Sequence, residues 1–189
     1  MEFVRKIKVI INKMSSLQIG DQIPVGKYTA TCQKVTDQGA IFILDSYLDK
    51  PYQMNVECTN EGGYEASDLR RNLVADFSAD ENFDSIRDHL TPFKNGDIVR
   101  IPTIAEFFGH DNSLEKWFEM DNAEQWELMK NGNNRVAKRK DEIFEWGWLE
   151  NKVKELATRF AYVRHNGDAG NAAASGSLGV RPVFMIRID

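Results

Sequence analysis

The stretch from Ala157 to Ile186 constrains the fold more than any other part of the chain. Ala157-Thr158-Arg159-Phe160-Ala161-Tyr162-Val163-Arg164 alternates apolar and polar positions. His165-Asn166-Gly167-Asp168 follows, and Asn-Gly between alternating segments is a strong short-range hairpin signal. A run of Gly, Ala, Ser and Asn then leads to Gly179-Val180-Arg181-Pro182-Val183-Phe184-Met185-Ile186. The pattern predicts paired strands that close a domain.

The rest of the chain reads as α+β. Val25 to Val35 is strand-like, Asp37-Gln38-Gly39 is a turn, and Ala40 to Leu44 is an apolar run suited to a buried strand, so a hairpin is expected. Ser67 opens a helix with Leu69, Leu73 and Phe77 on one face. Ser78 with Glu81 has capping-box spacing before Phe83, Ile86 and Leu90, predicting a second short helix that Pro92 ends. Ile98 to Ile101 reads as a strand, and Thr103 with Glu106 as another capping box, opening a helix that stops at Gly109. Residues 110–150 hold all four tryptophans. There Asp121 with Glu124 predicts a helix through Trp126 and Met129, and Glu145 to Leu149 a strand broken by Gly147.

With 189 residues the chain suits one domain and can bury roughly 70% of its unfolded surface. Its net charge of −5 argues against a general nucleic-acid surface. The basic run Arg135, Lys138, Arg139, Lys140 is followed at once by Asp141 and Glu142, which reads as a solvated loop. Cys32 and Cys58 could pair, but two buried, reduced thiols fit a chain with no disulfide framework. No stretch is long and apolar enough to span a membrane. Residues 1–16 read as a leader or edge strand, with Met14 a second start; Arg5, Lys6 and Lys8 spoil them as a signal-peptide core. An unprocessed, soluble protein is expected.

An ordered set of pieces carries a resemblance. They are Ile19-Gly20-Asp21, the Ala40–Leu44 strand, Tyr64 with Ser67-Asp68-Leu69-Arg70 and Leu73, and Ile101-Pro102-Thr103 with Glu106. Trp146 with Trp148-Leu149, Phe160-Ala161 with Val163, and Gly179-Val180-Arg181-Pro182 complete it. Across roughly residues 17–188 the chain resembles a bacterial and phage domain of unknown function in the C-type-lectin-like superfamily, beside the formylglycine-generating enzymes. The resemblance implies one domain, 17–189, of mostly antiparallel sheet with short flanking helices. The N- and C-terminal strands would share one sheet, and the Trp-rich insertion would lie at about 110–150.

The last strand is apolar on both faces, as a central strand must be. Arg181 within it needs a partner if buried, and a structural bridge to Asp68 or Glu106 is expected. In folds of this kind the long insertion carries ligand contacts. Trp117, Trp126, Asn133, Asn134 and Arg135 are therefore the candidate ligand-binding residues, combining flat apolar faces with amide and guanidinium donors. Core packing is the competing reading for each tryptophan.

The late cysteine pair of the formylglycine-generating enzymes is missing, and so are the calcium-ligand motifs of the sugar-binding lectins. His89, His110 and His165 have no metal-spaced or triad neighbours. No catalytic set, metal or cofactor is expected. The first reading is a non-enzymatic binding or structural module of phage or prophage derivation, recognising a surface glycan or a protein. The alternative is a phage-encoded intracellular effector that inhibits a host protein through an acidic surface. A formylglycine-generating-type enzyme stands last.

Overall fold

The computed structural model describes residues 17–141 and 145–188; the expected leader at 1–16 lies outside the described residues. The chain is α+β, with mostly antiparallel sheet and a few short helices. The strands are β1 (Gln22–Val25), β2 (Tyr28–Val35), β3 (Ala40–Leu44), β4 (Tyr52–Gln53) and β5 (Leu90–Thr91). They continue as β6 (Gly147–Lys152), β7 (Arg159–Val163), β8 (Ala169–Ala173), β9 (Ser177–Leu178) and β10 (Val183–Ile186). A five-stranded sheet has the order β1-β2-β3-β10-β5, so strands from early and late in the chain share it. The smaller sheets are β6-β7-β8 and β4-β9.

β10 lies inside the large sheet, antiparallel to both β3 and β5. All four of its residues are buried. Its neighbouring side chains serve different cores, which is why its sequence shows no clean alternation. Phe184 and Ile186 join Phe42, Leu69, Leu73 and Phe77 beneath the first helix. Val183 joins Ile43, Phe107, Trp126 and Leu149 on the other side. The predicted Asn-Gly hairpin links β7 to β8: Arg164 donates its N–H to the Asp168 carbonyl at 2.8 Å. Gly167 sits there at φ +87°, a conformation that favours glycine.

The helices are α1 (Asp68–Ala79), α2 (Asp84–Arg87), α3 (Ile104–Phe108), α4 (Asn112–Trp117) and α5 (Gly132–Arg135). α1 starts at the expected Ser67 cap and buries Leu69, Leu73 and Phe77. The expected Ser78–Glu81 box does not form. Ser78 instead donates to the Val74 carbonyl one turn back, and Asp80 accepts from Asn82 N–H. Leu90 accordingly leaves the helix and joins β5. The predicted strand at 98–101 shrinks to one bridge, Arg100 to Val183. The helix expected through Trp126 reduces to a 3₁₀ turn at Glu127–Lys130.

The Thr103–Glu106 capping box is complete: Glu106 N–H donates to Thr103 Oγ1 at 3.2 Å, and Thr103 N–H to Glu106 Oε2 at 2.9 Å. Thr103→Ala should cost about 1 kcal/mol, a fall of about 2–4 °C in Tm by circular dichroism. An unchanged Tm would show that tertiary packing alone holds α3.

Candidate functional site

Trp148 is buried against β7 and donates its indole N–H to the Tyr52 carbonyl at 2.7 Å. Trp126 is likewise core, 3% exposed, and packs on Phe107. Trp126 is therefore corrected from ligand contact to core residue, because the turn at 127–130 presses it and Met129 onto α3. Trp117 is 52% exposed and Trp146 is 42% exposed, but they sit at opposite ends of β6. Trp117 lies where its carbonyl accepts from Lys154, beyond the end of β6, while Trp146 stacks on Tyr162 beside the start.

Arg181 forms no bridge to Asp68 or Glu106. Asp68 pairs with Arg71 and accepts the Val56 N–H, while Glu106 is held by Arg100. Arg181 instead donates through Nε to the Leu44 carbonyl at 2.9 Å. Its Nη1 donates to the Asn134 and Arg135 carbonyls at 3.0 and 3.3 Å. The reason is geometric: α5 ends over β10 and aims its main-chain acceptors at the guanidinium. Burial without a carboxylate contact lowers the Arg181 pKa, although Tyr47 and Asp45 partly offset this.

Arg181 thus ties the end of α5 to the sheet, and a groove opens between them. At one end a cleft of about 370 Å³ is lined by Gln22, Thr31, Gln33, Asp45, Asn133, Asn134 and Arg181 among others. Gln22, Asp45 and Val136 also line a second cleft of about 540 Å³. Lys27, Tyr28 and Asp49 in turn connect the second cleft to a third of about 370 Å³. The 128–140 segment and the β1–β2 hairpin wall the first two clefts, and the end of α1 walls the third.

The described lining of the middle cleft holds more cations than carboxylates although the chain is acidic: Lys27, Lys138, Arg139 and Lys140 against Asp45 and Asp49. One of those cations, Arg139, is itself held by Asp141 at 2.7 Å and Glu145 at 3.2 Å. Asp49 serves two amines, Lys27 at 2.6 Å and Lys140 at 3.8 Å. The hydrogen bond from Lys27 is the main cause holding the Asp49 carboxyl below its usual pKa.

Of the five predicted ligand residues, only Asn133 and Asn134 reach this groove. The Asn134 side chain donates to the Leu128 carbonyl. Arg135 is absorbed structurally, donating to Met129 and Gly167 carbonyls and lying over the Phe108 ring at 4.6 Å. The hairpin residues Gln22, Thr31, Gln33 and Asp45 lay outside the sequence expectation. Their signal was faint: Thr29, Thr31 and Gln33 form a polar row on the outward face of β2. A register shift between Cys32 and Lys34 puts Gln33 in a bulge, where it is 2% exposed. Cys32 and Cys58 are both free, the first buried with its thiol pushed up to about 11 by burial, the second exposed.

No protein-family model, curated protein or solved structure matches the chain.

Proposed function

We propose that the chain is a non-enzymatic binding module that receives an acidic segment of a partner protein along this groove. The observation that carries the reading is that Lys27, Lys138 and Lys140 share the lining of the middle cleft of about 540 Å³ in a protein of net charge −5. A local field opposite to the overall charge selects acidic segments and repels basic ones. A glycan is the weaker fit, because sugars favour open aromatic faces. Here Tyr28, Tyr52 and Phe83 along the groove are buried, and the exposed Trp117 and Trp146 lie apart. We read the architecture as C-type-lectin-like, supported by the shared sheet of early and late strands and by an insertion that forms one wall of the groove.

The test compares wild-type protein with a Lys27→Glu/Lys140→Glu variant, immobilised and offered intact bacterial cells and bacterial lysate side by side. Wild type should retain acidic proteins at about 0.05 M salt and release them at about 0.5 M, where screening is strong. The variant should retain at least about tenfold less. Equal capture by the variant, or cell binding that survives high salt, would refute the acidic-segment reading.

A further inference from the structure

The cleft over Arg181 differs chemically from the lysine-lined groove it adjoins. Arg181 spends Nε and Nη1 on three main-chain carbonyls, while Nη2 has no hydrogen-bond partner among the described residues. Gln33 donates through Nε2 to the Thr31 carbonyl, yet its Oε1 is buried with no donor. Asp45 lines the same cleft, its carboxylate held by Thr31 Oγ1 at 2.6 Å and by Gln22 Nε2 at 3.0 Å. Leu128, Met129 and Val136 form an apolar wall.

We propose that this pocket holds a free zwitterionic α-amino acid, its carboxylate on Arg181 Nη2 and its ammonium on Asp45. One fixed cation and one fixed anion reject the alternatives. A simple anion meets repulsion from Asp45, and a simple amine meets repulsion from Arg181. A ligand carrying both charges on one carbon satisfies both. The side chain lies on Leu128, Met129 and Val136. A volume of about 370 Å³ falls in the range of small-molecule sites. This inference goes beyond the partner groove and does not depend on it.

The experiment follows thermal unfolding of the wild-type protein in buffer free of amino acids, with each standard amino acid added singly. At least one with an aliphatic side chain should raise Tm by about 3–6 °C at ten times its Kd. If leucine is the ligand, 4-methylpentanoate, which lacks the ammonium, and 3-methylbutylamine, which lacks the carboxylate, should give no shift. Asp45→Asn should weaken leucine binding at least about tenfold. The proposal is overturned if no amino acid shifts Tm, or if either half-analogue shifts it as much as leucine. The Lys27→Glu/Lys140→Glu variant should keep the leucine shift while losing its acidic partners, so the two readings fail separately.

Discussion

Replacing Arg100 with methionine should lower the unfolding free energy by about 3–5 kcal/mol at neutral pH, the usual cost of stranding buried charge. Arg100 is 13% exposed, is paired with the Glu106 carboxylate and has the Glu150 carboxyl on its other side. Nη1 donates to Glu106 Oε2 at 2.8 Å and to the Ile101 carbonyl at 2.9 Å, Nη2 pairs with Glu106 Oε1, and Glu150 Oε1 lies 3.7 Å away. Burial opposes the Arg100 charge, but Glu106 more than offsets this and raises its pKa above the ordinary guanidinium value. Methionine fills much of the volume but leaves the Glu106 carboxylate without its counter-ion, beside a Glu150 carboxyl that burial keeps largely protonated at neutral pH. In urea titrations the midpoint should fall with an unchanged slope. A loss below about 1 kcal/mol would mean that water already compensates Glu106 and Glu150.

Glu150→Gln should work in the opposite direction, by an amount that grows as pH rises above about 4.5 and levels off above about 8. Burial pushes the Glu150 carboxyl up to about 8; Arg100 pulls it down, and Glu106 pushes it up again. Its Oε1 is covered and has no hydrogen bond. The native state therefore holds a proton that the unfolded state releases near the ordinary carboxylate pKa. This contribution is full below about pH 4.5, declines as pH rises, and is gone above about pH 8. Glutamine carries no charge to penalise, so the variant should be more stable than wild type by about 2–4 kcal/mol at pH 9 and equal to it near pH 4. The figure is set below the full shift because 21% of the Glu150 side chain stays open to solvent. Melting curves of both proteins across that range check the slope. A wild-type advantage at pH 9 would mean that Glu150 is ionised and held favourably by Arg100.

The fold was legible where local chemistry and tertiary packing agree. Ser67, Thr103 and Gly167 each mark an element boundary through a backbone group that the side chain, or its absence, satisfies. The apolar runs at 40–44 and 183–186 marked the covered strands. Legibility failed where two local options compete. Ser78 has cap spacing but sits in a helix that continues past it, so it bonds backward and leaves the cap to Asp80. Asp121 does accept from Ala123 N–H, yet the chain turns toward α3 because Trp126 is needed in the core.

The candidate site was half legible. Asn133 and Asn134 were found through the insertion, and Arg181 was singled out as a charge needing a partner. That the partners would be carbonyls of the insertion depends on the docking of distant segments, which no local pattern encodes. Gln33 was hidden for the same reason, since a bulge and a covering loop bury a residue whose alternation points outward.

The position of β10 also has a consequence for the order of events during synthesis. Arg181 and Leu44, which hydrogen-bond each other, are separated by 137 residues of sequence. β3 thus emerges from the ribosome long before the strand that must lie beside it. Until then one edge of Phe42 and Ile43 is bare, an apolar strand with unpaired backbone groups. The nascent hairpin β2–β3 can form within microseconds, but the sheet cannot close until β10 arrives. At about 5–20 residues per second, that wait lasts roughly 7–28 s. Over that interval the exposed edge of β3 is the chain's principal hazard for pairing with another copy of itself, and Arg181, docking beside it, arrives in time to end the exposure.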